Sequence, residues 1–271
     1  MFRNTVKANL KQGMRYTFLL SILAVTVSLS FDSLGTLVLT VNNPLIYQEG
    51  STICVQYFYF NGVSFGGVFS TYFTAALAAL PYAASYSVEQ KSKMLIYNIA
   101  RCGRRNYYIS KMLTTAFFGG LSVFLGRLLF IVVLSTYLPL TTPARVLAMT
   151  GLPYHDALAS GNGIGYFMIV LYLAFLSGAL CSSVGMCVSA FIPNPYVAVC
   201  SPVIFIFLLV ELGRLLKLPQ NIRIELLLNA SATIRSDAIT LIFTSIAVIG
   251  AIVACYRLFS KRCERRLCEN A

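Results

Sequence analysis

Six stretches of mostly apolar residues, near 16–38, 61–87, 112–138, 165–192, 196–218 and 238–256, recur along a chain of 271 residues. A helix needs roughly 20 such residues to cross the hydrocarbon core of a bilayer. Backbone polar groups are satisfied there only in helices or closed barrels. The pattern therefore predicts an all-α integral membrane protein with six transmembrane helices. Composition agrees: 58% of residues are hydrophobic, 11% are charged and the mean hydropathy is +0.76, against roughly 25% charged residues in an ordinary soluble domain. No polar block long enough to fold separately interrupts the pattern, so residues 1–271 read as a single transmembrane domain. The fifth stretch is the weakest, because only 196–210 is free of charge before Glu211, Arg214 and Lys217. A break or an early end remains open there.

The net charge of +12 comes from short Lys and Arg clusters between apolar runs, where a nucleic-acid groove is not built. Basic loops are retained in the cytoplasm, and the clusters are strongly one-sided. Residues 1–15, the 88–111 loop and the tail from Arg257 hold fifteen cations. The opposite side holds five, Arg145, Arg214, Lys217, Arg223 and Arg235. An even number of spans with both termini in the cytoplasm satisfies this bias.

Residues 1–15 place Phe2, Val6, Leu10 and Met14 at steps of four beside a row of Arg3, Lys7, Lys11 and Arg15. That is the pattern of an amphipathic helix lying in the headgroup layer among membrane lipids, or else of a plain extension of the first span. The external segments 39–60 and 139–164 are short and carry turn formers (Asn42, Asn43, Pro44; Pro139, Pro143, Gly151, Pro153). Between the last two spans, the apolar patch 226–228 is too short to cross but suits a small helix or re-entrant hairpin before the last span. An exposed loop is the other reading. Pro81 predicts a kink in the second span. Small-residue stripes at Ala75, Ala79, Ala83 and Ser87, and at Ser177, Cys181, Gly185 and Ser189, allow close helix approach, more often within one subunit than between two. Of eight cysteines, only Cys54 falls on the outer side, and no CxxC or Cys/His metal spacing occurs. Structural cysteines are the expectation.

No catalytic set emerges. There is no GxxxxGK[ST] phosphate loop, so the chain is not expected to hydrolyse ATP by that device. The single histidine, His155, reads as a loop side chain. Charges within spans are costly and mark candidate functional sites. At roughly 1.5 Å per residue, Asp32, Arg127 and Glu211 all come out about 22–24 Å from the inner face. Arg127 then either pairs with one of the carboxylates or reaches outward to water while they mark helix ends.

The loop SYSVEQKSKMLIYNIARCGRRNYYISKML, residues 85–113, is the most informative stretch. Glu89 follows the second span, 93–100 reads as a short helix starting at Lys93, Arg101, Gly103, Arg104 and Arg105 make a basic turn, and Tyr107, Tyr108, Ser110 and Lys111 lead into the third span. In this order the chain resembles the ABC-2 type permease family. The likeness extends to the amphipathic first helix, the six spans, the tight turn at Pro193, Asn194 and Pro195, and the hairpin-like segment before the last span. Many family members carry a proline before the basic turn, where this chain has Cys102 and Gly103.

The resemblance implies the permease subunit of an ABC exporter, working as a homodimer or heterodimer with a second permease copy or a related permease. Cytoplasmic ABC ATPase subunits would bind ATP and Mg, and the permease itself would hold no cofactor. It also implies a bacterial cell membrane and an ATPase-coupling role for 89–105. A short helix there, presenting Met94, Leu95, Ile96, Tyr97 and Ile99, would seat in a groove on the ATPase, with Gly103 ending it in a left-handed conformation. The plainer reading is a basic loop that only sets orientation. The cargo stays open among amphipathic, peptide, drug, glycan and lipid-like molecules. Two other classes stand beside this one: an ion-driven secondary transporter, which internal repeats and discontinuous helices would favour although the sequence shows no convincing repeat, and a non-transporting membrane component of a sensing or immunity complex.

Overall fold

The computed structural model describes residues 2–42, 54–64, 69–142, 153–156 and 163–269, and every regular element among them is helical. Of the outer-side residues named above, Asn43, Pro44, Pro143, Arg145 and Gly151 lie outside the described residues. In chain order come α1 (Phe2–Gly13), α2 (Tyr16–Asn42), α3 (Val55–Ser64), a π-helical turn (Phe69–Phe73), α4 (Thr74–Ala79), α5 (Ser85–Lys91), α6 (Met94–Cys102) and α7 (Arg104–Ser135). Then follow α8 (Gly163–Phe191), α9 (Pro195–Leu215), a 3-10 turn (Gln220–Ile222), α10 (Ile224–Leu228) and α11 (Asp237–Glu269). Five of these, α2, α7, α8, α9 and α11, are long and apolar enough to cross a membrane. This is the architecture of a multi-pass helical membrane protein.

The expected second span, 61–87, is not one continuous helix. It is divided among the end of α3, the π-helical turn, α4, turns over 80–84 and the start of α5. Pro81 does more than kink the segment, because α4 already ends at Ala79: proline removes a backbone donor and crowds the preceding turn. The divided segment still runs along the bundle antiparallel to α2. Ser21 donates to the Leu77 carbonyl at 2.7 Å, while eleven residues further along α2 the Asp32 carboxylate accepts from the backbone of Ser70 at 2.5 Å.

The fifth stretch holds together as α9, charges included. Asn194 accepts from the Tyr196 amide at 3.0 Å and Pro195 occupies the first turn, the arrangement that best starts a helix. The seventh helix starts at Arg104, eight residues before the predicted span, and the last runs beyond 256 to Glu269. Basic sequence at both ends continues the helices instead of ending them.

α8 is the central element, packed against α4, α7, α9 and α11, and its small residues explain how. A Cβ added at Gly178 would fall 2.5 Å from the Gly119 carbonyl of α7, and one at Gly185 would fall 2.5 Å from the Ala198 carbonyl of α9. Ala79 and Ala83 also lie at Gly185, so the two small-residue stripes meet each other within the subunit. At Gly119 an added Cβ would come 2.2 Å from Ser182 Oγ and 2.8 Å from the Ala78 carbonyl. Gly119→Val should therefore cost about 3 kcal/mol or more through overpacking, whereas Gly250→Ala, with nothing within 4 Å, should be tolerated. Melting of the two variants in detergent checks the contrast.

α1 is helical as expected, but its contacts differ from a free amphipathic helix. Asn9 and Gly13 are buried against α7, with Asn9 donating to Ser110 Oγ at 3.1 Å, while Met14 is exposed. The docked face thus combines the small and polar Asn9 and Gly13 with Leu10 of the apolar row, while Met14 stays outside. Cys54, expected on the outer side, is completely buried, so outer-side placement does not make it a reactive thiol.

Candidate functional site

The loop between α4 and α7 folds into two short helices, and two backbone specials shape it. Lys93 takes the left-handed conformation (φ 58, ψ 8) at the start of α6, and Gly103 closes it with φ 82, ψ 144. The glycine is therefore needed for positive φ, but with an extended ψ instead of the left-handed helical one expected. Its amide donates to the Ile99 carbonyl at 2.8 Å, and its carbonyl accepts from the Tyr107 amide at 3.0 Å. One residue thus ends α6 and starts α7.

Beneath α6 lies an ion pair. Lys111 is 0% exposed and Glu89 is 8% exposed, and Lys111 Nζ meets Glu89 Oε1 at 2.5 Å. The remaining ammonium protons reach Tyr82 Oη at 3.0 Å and Ser85 Oγ at 3.4 Å, while Tyr107 Oη donates to Glu89 Oε2 at 2.5 Å. The ammonium also stands 4.8 Å from the centre of the Tyr82 ring. A buried charge pair is tolerable only when its lone pairs and protons are satisfied this fully. Sequence reading picked out Glu89 and Lys111 as the two ends of one motif, but the pairing across 22 positions has no periodic signature.

Around the pair, Leu95 and Ile99 pack with Tyr82, Tyr86, Tyr107 and Tyr108. These two residues were expected to face a partner. Instead Leu95 and Ile99 are the buried residues of α6 and face the chain's own core, since burial of apolar surface selects that face. The outward apolar residues are Met94, Ile96 and Tyr97, at 59%, 64% and 77% exposure. Lys93, Arg101, Arg104 and Arg105 are exposed and stand apart from the buried cluster. Leu10 of α1 and Phe259 and Cys263 of α11 belong to the same cluster. The N-terminal helix, the α5–α6 loop and the end of α11 therefore meet at one end of the bundle.

The three intramembrane charges do not come together. Arg127, 3% exposed, donates to Tyr59 Oη at 3.0 Å, and its Nε has no partner among the described residues. Asp32 accepts from the backbone amides of Ser70 and Phe69 at the π-helical turn. Glu211 pairs with Arg214 on the surface of α9 at 3.2 Å. Equal depth on three helices did not imply equal azimuth.

The carboxylate that sequence reading missed is Glu225. It is buried in α10, meets Arg223 Nε at 2.6 Å, and shares with Arg127 a cavity of about 30 Å³ whose walls include Ser70, Thr74, Cys181 and Asn229. A usable signal was present: an acid directly ahead of the apolar patch 226–228, in a segment expected to dip inward, needs a partner. Among the described residues no group of His, Cys, Asp and Glu is arranged to hold a metal ion. Comparison with protein-family models, with curated proteins and with solved structures finds no match.

Proposed function

We propose that this chain is the permease subunit of an ATP-driven exporter of the ABC-2 type, with ATP and Mg bound by separate cytoplasmic ATPase subunits. The observation that carries the reading is α6: a nine-residue helix clamped over a buried ion pair, sealing Leu95 and Ile99 inward and presenting Met94, Ile96 and Tyr97 outward. An exposed apolar strip on a short rigid helix is what a groove on a partner takes up. Because Glu89 precedes α6 and Lys111 lies within α7, the pair transmits displacement of α6 to the spans. Meeting of three basic segments at one end supports both termini lying with the loop in the cytoplasm. On this reading the divided segment 55–91 is the second of six passes, and 218–236, with α10, is the re-entrant element. A dimer with a second permease encloses the path.

Changing Ile96 and Tyr97 together to Asp should leave the permease inserted and abolish vanadate-sensitive ATP hydrolysis of the purified complex, since charge would enter an apolar groove. Undiminished hydrolysis would leave the loop with an orienting role only.

One observation favours the ion-driven alternative. The π-helical turn and α4 make a short helical segment that ends before Pro81, beside a cavity lined in part by Arg127 and Glu225, and discontinuous helices at buried charges are how ion-coupled transporters build their sites. Transport in sealed vesicles separates the two: a proton or sodium ionophore stops an ion-driven carrier, and ATP depletion stops the exporter.

A further inference from the structure

At the end of the bundle where the basic segments gather, a recess of about 200 Å³ opens between the last residue of α8 and the basic stretch of α11. Its walls are Phe191, Leu258, Lys261, Arg262 and Arg265. Positions 258, 261, 262 and 265 are separated by three and four, so they share one face of α11. The Arg262 guanidinium lies 5.8 Å from the centre of the Phe191 ring, within cation–π reach. Arg266, one turn on, donates to the Phe191 carbonyl and to Gln90 Oε1, which fixes α11 against α8 and α5. Arg262 and Arg266 thus anchor this end of α11 at Phe191, with Lys261 and Arg265 exposed beside them. Among the described residues no acidic side chain lines it, whereas both Phe191 and Leu258 are exposed apolar surface at its rim.

We propose that this recess binds the phosphate headgroup of an anionic phospholipid, with Lys261, Arg262 and Arg265 on the phosphate and Phe191 and Leu258 against the upper acyl chain. A free phosphate would use the same cations but has no use for the apolar rim, and the rim is what assigns the site to a lipid. Basic recesses between helices at the cytoplasmic membrane surface have this chemistry. The assignment is independent of the ATPase reading, since it needs only a membrane around the helices.

Native mass spectrometry of the purified protein with phosphatidylglycerol and phosphatidylcholine tests it. Phosphatidylglycerol should bind in preference, and the triple variant Lys261→Gln, Arg262→Gln, Arg265→Gln should weaken it by about 100-fold, at roughly five-fold per cation. A control removing three exposed cations elsewhere, Lys91→Gln, Arg101→Gln, Arg105→Gln, should change it by less than about five-fold. Millimolar glycerol phosphate should not displace the lipid. Equal weakening in both triple variants, or none in the first, overturns the site. Displacement by glycerol phosphate overturns the lipid assignment in favour of a soluble phosphate. If the first triple variant does not fold, Arg262→Met alone should weaken binding about five-fold, and unchanged binding by that variant overturns the proposal.

Discussion

Lys111→Met should destabilise the folded protein by about 3–5 kcal/mol, because it strands the Glu89 carboxylate among tyrosine rings without its cation. Glu89→Gln should cost a comparable amount by leaving the fully buried ammonium unbalanced. The double variant should recover most of the loss, since replacing both members of a buried pair by uncharged groups of similar volume is often nearly neutral. Thermal unfolding of the four proteins in one detergent gives the cycle. Strictly additive losses would show that the two groups do not interact. The cycle also separates stability from function. If the pair passes motion from α6 to α7, the double variant should fold yet show ATP hydrolysis no longer linked to transport. Retained coupling in the double variant would make the pair a structural device only.

Arg127→Leu should also cost about 3–5 kcal/mol, since a buried guanidinium bonded to Tyr59 is removed and Glu225 loses the other charge around its cavity. Which second change restores stability is the informative part. Asp32→Asn and Glu211→Gln should give no rescue, because Asp32 is engaged by the backbone of 69–70 and Glu211 by Arg214. Glu225→Gln made together with Arg223→Gln should recover more than about 1 kcal/mol, because Glu225→Gln alone would strand the Arg223 guanidinium that meets it at 2.6 Å. The cavity has room for one or two water molecules, and a water bridging two opposite charges is nearly as good as a direct hydrogen bond. Rescue by Asp32→Asn instead would mean that Arg127 turns toward α2. No rescue by any of the three would make Tyr59 the sole partner that matters.

Much of the fold was legible because apolar length is a local property. Twenty apolar residues carry their own argument for a helix, and α2, α7, α8, α9 and α11 lie where those runs lie. The start of α9 was legible at Asn194 and Pro195 for the same reason, since a cap acts within three residues. The 61–87 stretch misled because its mean apolarity is that of a span while its backbone is interrupted. Asp32, from a different helix, accepts from the amides of Phe69 and Ser70, a contact that nothing within the stretch announces.

Sequence alone settled the helical class and the number of long apolar helices to within the divided one, and it placed Glu89 and Lys111 in one motif. Tertiary structure decided which side of α6 is inward, that Glu89 and Lys111 are partners, and that Arg127 stands near Glu225 instead of Asp32 or Glu211. The reason is geometric. Depth along a helix follows from counting residues, because the rise per residue is fixed. Direction around the axis has meaning only relative to neighbours, and the neighbours are chosen by contacts such as Gly119 on Ser182 and Gly185 on Ala198, which join positions dozens of residues or only thirteen apart with no periodicity to announce them.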